Sequence, residues 1–202
     1  MSNTPQIAVS PDNPCPFLRA LVANGYVDGH IALRSKLAET IVAASGKTGL
    51  AELQAKVETF VVTFLANGSK TTLAGLVLDE LRNGPLDKHG AGSRILGVDA
   101  QVHEDEIERL ASFGQECNNP AGGTERGLTA KQIDAFMAAN MKRAGDAARF
   151  YYPKLMEKEW PVLLDFMGKG EGDQRYLSVA DVRTLVVDRR LPDRATARLP
   201  KP

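Results

Sequence analysis

Cys15 stands between two prolines at the head of an apolar stretch, in PDNPCPFLRALVANGY. Each proline ring fixes its own φ and pushes the residue before it toward an extended conformation, so Pro14-Cys15-Pro16 is stiff. The spacing in FLRALVANG predicts a short amphipathic helix, with Phe17, Leu18, Leu21 and Val22 on one side and Asn24-Gly25 as its stop. A sulfur at such a helix start meets unpaired N–H groups and the positive end of the dipole, which favour thiolate over thiol. A thiolate held there is suited to bind a metal. The ordinary alternative is a small buried hydrophobe that happens to precede a helix.

The remaining metal-ligating types offer less. Cys117, in GQECNNP, reads as an inert loop cysteine, and two cysteines make no disulfide framework for an intracellular chain of this size. His30, His89 and His103 are scattered, at a spacing that fits no zinc site. SGKT at 45–48 would need its first phosphate-loop glycine at Ile41, inside a predicted helix. DFMGKGEGD lacks the alternating oxygen ligands of a calcium loop and its closing glutamate.

Helical periodicity dominates the elements that must position these residues. Amphipathic helices are predicted over 30–44, with Ile31, Leu33, Leu37, Ile41 and Val42 inward, over 49–68, over 72–84 and over 103–114. The last of these crowds acidic residues at its start, where the dipole favours them. Thr129 with Gln132 signals a capping box for the helix through AKQIDAFMAANMKRA. Another helix is expected across GDAARFYYPKLMEKEWPVLLDFMG, kinked at Pro153 and Pro161, and Ser178 with Asp181 opens a final one that Pro192 ends. Residues 85–100 and 114–128 read as loops, almost no sheet is expected, and no internal repeat is evident.

Twenty-five basic and 25 acidic residues cancel, so charge points neither to nucleic acid nor to an anionic membrane. The chain is 43% hydrophobic and 25% charged, as globular domains are, and no apolar run reaches membrane-spanning length. MSNTPQIAVSPDN has no basic start followed by an apolar run, so a cytoplasmic protein is expected.

PCPFLRALVANGYV resembles the proximal motif of the haem-thiolate peroxidases, the family of fungal chloroperoxidase and the unspecific peroxygenases. That motif reads Pro-Cys-Pro, a few variable residues, then Leu-Ala-Asn-His-Gly-Tyr. Pro14, Cys15, Pro16, Ala20, Leu21, Ala23, Asn24, Gly25 and Tyr26 fall on it in order, without the family's histidine between Asn24 and Gly25. LDKHG…ILGVDAQVHEDEI is similar to the family's middle segment at His89-Gly90 and Asp99. There the family's Glu-His-Asp triplet is Gly97-Val98-Asp99, and its serine position is Gln101. ARFYYPKLMEKEWPVLLDF resembles the distal segment through Arg149, Phe150, Tyr151, Glu157 and Pro161, and Arg190-Leu191-Pro192 resembles the closing motif.

The resemblance implies an all-α fold over 1–192, a single compact domain of about seven to nine helices around a buried haem b, with 193–202 as a C-terminal tail. It implies that Cys15, flanked by Pro14 and Pro16, is the axial ligand of the iron and that His89 lies at the haem edge. Thiolate ligation pushes electron density to iron and favours O–O cleavage. Glu157 would be the acid–base group handling the peroxide proton, with Arg149 offsetting developing charge. Glu159 competes with Glu157; about 200° of helix rotation separates them, so only one can face a pocket. Asp99, with Glu104 as a partial substitute for the missing triplet glutamate, would hold a divalent cation such as Mg2+ against a haem propionate. The implied activity is that of a peroxidase or peroxygenase, with hydrogen peroxide and a small organic molecule as substrates. Two alternatives stay open: a haem-thiolate protein with non-peroxide chemistry or a sensing role, and a haem-free helical interaction protein.

Overall fold

The computed structural model describes residues 7–45, 75–82, 87, 92–147 and 152–199, without the side chains at 34, 44, 45 and 154–159. The expected helix at 49–68 lies outside these residues, as do His89, Arg149 and Phe150. The chain divides into two compact units. The first holds Met1–Asp87, Val98–Ala100 and Asp188–Pro202; the second holds Lys88–Gly97 and Gln101–Val187. Among the described residues no helix is long and apolar enough to cross a membrane.

In the first unit, helix α1 (Pro16–Ala23) has Pro16 at its first position and Asn24 as its C-cap. Proline is tolerated there because the first helical N–H has no intrahelical partner in any case. Strand β1 (Ile31–Leu33) follows and leads directly into α2 (Arg34–Ser45). Strand β2 (Gly75–Val77) pairs antiparallel with β1, Ala32 opposite Leu76, and a single 3-10 turn closes it. The expected all-helical reading is thus corrected twice here, at 31–33 and at 75–77. A strand at 31–33 exchanges the helical face for alternation, so Ala32 is buried while Leu33, expected inward, is exposed. Gly75 has a steric reason to be glycine, since a Cβ there would lie 2.8 Å from the Ala32 carbonyl oxygen. Helix α7 (Asp193–Thr196) falls within the expected tail and packs on α2, with Ala195 fully buried.

The second unit is a mixed helical and sheet structure. Its helices are α3 (Glu104–Phe113), α4 (Ala130–Ala144), α5 (Tyr152–Met167) and α6 (Val179–Val186). Its antiparallel sheet has the order β3–β4–β5, formed by Gln115–Asn118, Thr124–Thr129 and Tyr176–Ser178. The all-α expectation is therefore wrong, and most plainly at 114–128, where the supposed loop supplies two of three strands. The helices α3 and α4 begin where acidic crowding and the Thr129–Gln132 pair place them, Gln132 Oε1 accepting the Thr129 N–H at 2.8 Å. Pro161 lies inside α5 without ending it.

The sheet also exposes a repeat. Two helix-to-helix segments each carry a strand into their second helix, α3–β3–β4–α4 through β4 and α5–β5–α6 through β5, with Leu128 opposite Leu177 in the strand pairing. Around that pair the segments follow one pattern. Leu128-Thr129 and Leu177-Ser178 enter the helices, Gln132 and Asp181 come three residues later, then Ile133 and Val182, then Phe136 and Leu185. All the apolar members of the two series are buried. Phe136 also meets Trp160 of α5 edge-to-face at 5.3 Å, which ties the two halves together.

Candidate functional site

The Cys15 region is built by a side-chain bond ahead of the helix. Asn13 Oδ1 accepts the Cys15 N–H at 3.1 Å, and Cys15 takes an extended conformation as N-cap residue. Its carbonyl oxygen accepts the N–H of Arg19 at 3.0 Å, closing the first turn. The Cys15 side chain is half-buried. Arg19, one turn into α1, is 5% exposed and donates through Nη1 to the carbonyls of Ser10 and Asn13 at 2.8 and 3.2 Å. Burial first, then the charges of Arg189 and Arg82, lower the pKa of Arg19, while Cys15 opposes them. Cys15 thus lies within electrostatic reach of the buried Arg19 guanidinium.

The far end of α1 explains how Arg189 comes to lie there. Asn24 Nδ2 donates to the Ala20 carbonyl and to the Arg189 carbonyl, both at 2.7 Å. Gly25 follows at φ 77°, the left-handed value that lets the chain turn after the helix. Arg189 itself sits at φ 52°, a conformation uncommon for a residue with a Cβ, and Asn24 pins it. The LVANGY and DRRLP segments, at opposite ends of the sequence, therefore meet in one unit. Arg19 and Arg189 were not anticipated as part of the site; the alternation of charged and apolar residues gives no sign of a contact across that separation.

The other expected site residues stand as follows. Asp99 is exposed at the tip of a tight turn in which Gly97 N–H bonds the Gln101 carbonyl at 2.8 Å. Glu104, its expected helper, is engaged by Arg183 through two bonds of 2.6 and 2.9 Å. Among the described residues no group of three or more His, Cys, Asp or Glu side chains could hold a metal ion. Glu157 and Glu159 lie on α5 with their side chains outside the description, and Arg149 and His89 fall outside it entirely. His30 pairs with Asp79 at 2.7 Å, and His103 is the N-cap residue of α3. Cys117 is buried in β3 rather than lying in a loop, and burial, with Glu125 and Glu116, pushes its thiol up.

A second polar constellation went unanticipated. Glu125 on β4 accepts from Lys169 Nζ at 2.6 Å and from the Tyr176 hydroxyl at 2.7 Å through Oε1, and from Ser178 Oγ at 2.7 Å through Oε2. Burial pushes Glu125 up, but the bonds from Lys169, Ser178 and Tyr176 outweigh it and hold the carboxyl below its usual range. Burial and the Glu125 carboxylate keep the Tyr176 hydroxyl protonated, well above the phenol range. Ser178 donates its hydroxyl to Glu125, which turns Oγ toward the carboxylate, and it makes no side-chain cap for α6. Tyr176 and Ser178 are 1% and 0% exposed, and the network fastens β4 to β5. No protein-family model matches the chain, and no curated protein or solved structure matches it.

Proposed function

We propose that this chain is a haem-thiolate protein in which Cys15 ligates the iron and hydrogen peroxide oxidises or oxygenates a small organic substrate. The observation that carries the reading is the setting of Cys15: a half-buried sulfur at the start of α1, held by Asn13 and facing the positive field of Arg19. A soft thiolate donor on a stiff Pro-Cys-Pro segment fits haem iron. The likeness of PCPFLRALVANGY to the haem-thiolate motif supports it further. The fold lends no support, since the second unit departs from the all-helical architecture of that family. When bound, thiolate-ligated haem supplies the oxidising chemistry by favouring O–O cleavage.

The chain's own residues have separable tasks in this reading. Pro14 and Pro16 stiffen the ligand segment, and Asn13 fixes the backbone N–H of Cys15. Arg19 offsets the charge of the sulfur. Glu157, with Glu159 as the competing carboxylate, takes the proton from peroxide and returns it to the departing oxygen, and Arg149 offsets charge there. His89 would border the haem edge and Asp99 would serve a divalent cation. A chain with two cysteines and no disulfide framework suits the cytoplasm.

The test is a visible spectrum of protein produced with haem supplied, reduced under carbon monoxide, beside Cys15→Ala. A strongly red-shifted Soret band that is lost in the variant is the expected result. An unchanged haem spectrum without Cys15, or a protein that takes up no haem, overturns the reading. Given the band, Glu157→Gln is expected to lower peroxide turnover about 10²–10⁴-fold with the spectrum retained. The same loss in Glu159→Gln instead would transfer the role to that residue.

A further inference from the structure

The cations gathered around α1 are unequally matched by the chain itself. Arg82 has a carboxylate, Asp87, at 3.8 Å. Arg19 is 5% exposed and is met by two carbonyl oxygens, which satisfy its N–H groups but leave its charge in place. The charges that reach it are those of Arg189 and Arg82, which repel it, and that of Cys15, which offsets them. The Arg189 guanidinium makes no hydrogen bond or ion pair among the described residues, and the carboxylate beside it in sequence, Asp188, faces Arg190 at 3.7 Å. Arg19 and Arg189 are thus two guanidiniums within reach of each other, neither ion-paired to a carboxylate among the described residues.

The backbone keeps Arg189 in this company at a cost. A φ of 52° is uncommon for a residue with a Cβ, and like charges side by side repel. Asn24 enforces the arrangement, since the amide that holds the Ala20 carbonyl also donates to the Arg189 carbonyl at 2.7 Å. A strained backbone that sets an unmatched charge in place points to a group outside the chain as the partner. Arg189 is half-buried, so its side chain is open to such a group and is not sealed in the core.

The haem-thiolate reading, on which this inference rests, supplies the missing charge. Ferric haem on a thiolate, with both propionates ionised, is a dianion, and a charged group taken out of water needs compensation. The propionates leave the porphyrin edge and not the iron, so their partners belong beyond the immediate surroundings of the sulfur. Arg19 is the cation that Cys15 feels, and Arg189 is the next one out. A guanidinium fork matches a carboxylate through two parallel hydrogen bonds.

We infer that Arg189 is a haem-anchoring residue whose guanidinium holds one propionate carboxylate, set in place for it by the bond from Asn24. The full chain is loaded with haem b or with haem b dimethyl ester, whose esterified propionates carry no charge. Release of each to excess apomyoglobin is followed at the Soret band. Arg189→Gln leaves the main-chain bond from Asn24 intact and removes no side-chain hydrogen bond among the described residues, so the variant should fold, which far-UV circular dichroism checks. Arg190→Gln removes a neighbouring exposed charge and serves as the control. Haem b is expected to leave Arg189→Gln about tenfold faster than the parent or more, and to leave Arg190→Gln at the parent's rate. The dimethyl ester is expected to leave all three at one rate. Given a Soret band that depends on Cys15, equal release of haem b from Arg189→Gln and the parent overturns the inference alone. So does the same acceleration in Arg190→Gln, or with the dimethyl ester. A chain that takes up no haem, or a haem spectrum unchanged in Cys15→Ala, overturns the haem-thiolate reading and this inference with it.

Discussion

Lys169→Met is expected to destabilise the chain by about 3 kcal/mol at neutral pH, measured by denaturant unfolding. Removing one partner of a buried pair typically costs about 3–5 kcal/mol, because the other charge is left without compensation. The lower end applies because the Lys169 and Glu125 side chains keep 16% and 17% exposure. Lys169 also lies 3.6 Å from Asp181, so its loss leaves two carboxylates near each other. Methionine preserves most of the stem volume, which confines the effect to charge and hydrogen bonding.

The pH profile separates that cause from a packing defect. In the parent, the carboxyl of Glu125 is held below its unfolded value, so its contribution is complete above the unfolded pKa and is lost as pH falls through the folded one. Without Lys169 the burial effect, which pushes Glu125 up, is opposed only by Ser178 and Tyr176. The cost of Lys169→Met should therefore shrink as pH falls from 7 toward 4, when Glu125 protonates in the variant. A constant cost across that range would show that the ammonium acts through packing alone.

Which parts of this structure can be read from the sequence depends on how locally their causes lie. The ends of α1 are legible because Pro16 and Asn24-Gly25 act within one turn of the helix. The start of α4 is legible for the same reason, through Thr129 and Gln132. The strands are not. A strand of three residues, such as Ile31–Leu33 or Tyr176–Ser178, is too short to show alternation, and it exists only because a distant partner completes its hydrogen bonds. In β4 the sequence TERGLT holds a glycine where strands disfavour one. Its reason is the ring of Tyr176 on the neighbouring strand, which a Cβ at Gly127 would penetrate.

The candidate site divides along the same line. Cys15 declares itself through its two prolines, whereas Arg189 joins it through a bond from Asn24 that spans 165 positions. The Glu125–Lys169 pair spans 44 and the Glu106–Arg143 pair 37, and nothing in charge order marks either. The repeat is not legible in the sequence because it keeps roles rather than residues: Thr129 matches Ser178, Gln132 matches Asp181 and Phe136 matches Leu185. Only the antiparallel strand pairing brings those equivalents into register.

That register carries the last prediction, a double-mutant cycle on Leu128 and Leu177. Both side chains are 0% exposed and stand directly opposite across β4 and β5. Leu128→Ala and Leu177→Ala should each cost about 2–5 kcal/mol, the transfer of the lost methyl groups plus the cavity left behind. Directly opposed residues on one face touch, so the first truncation already forfeits part of what the second would remove. The double variant should then fall short of the summed single costs by about 0.5–3 kcal/mol. Additivity to within about 0.5 kcal/mol would mean that the two leucines fill separate cores, and that the helix–strand–helix halves are joined through Phe136 and Trp160 instead. Coupling at the leucines would make the strand pair the element on which both halves close, with the Glu125 fastening on the same strands holding them in place.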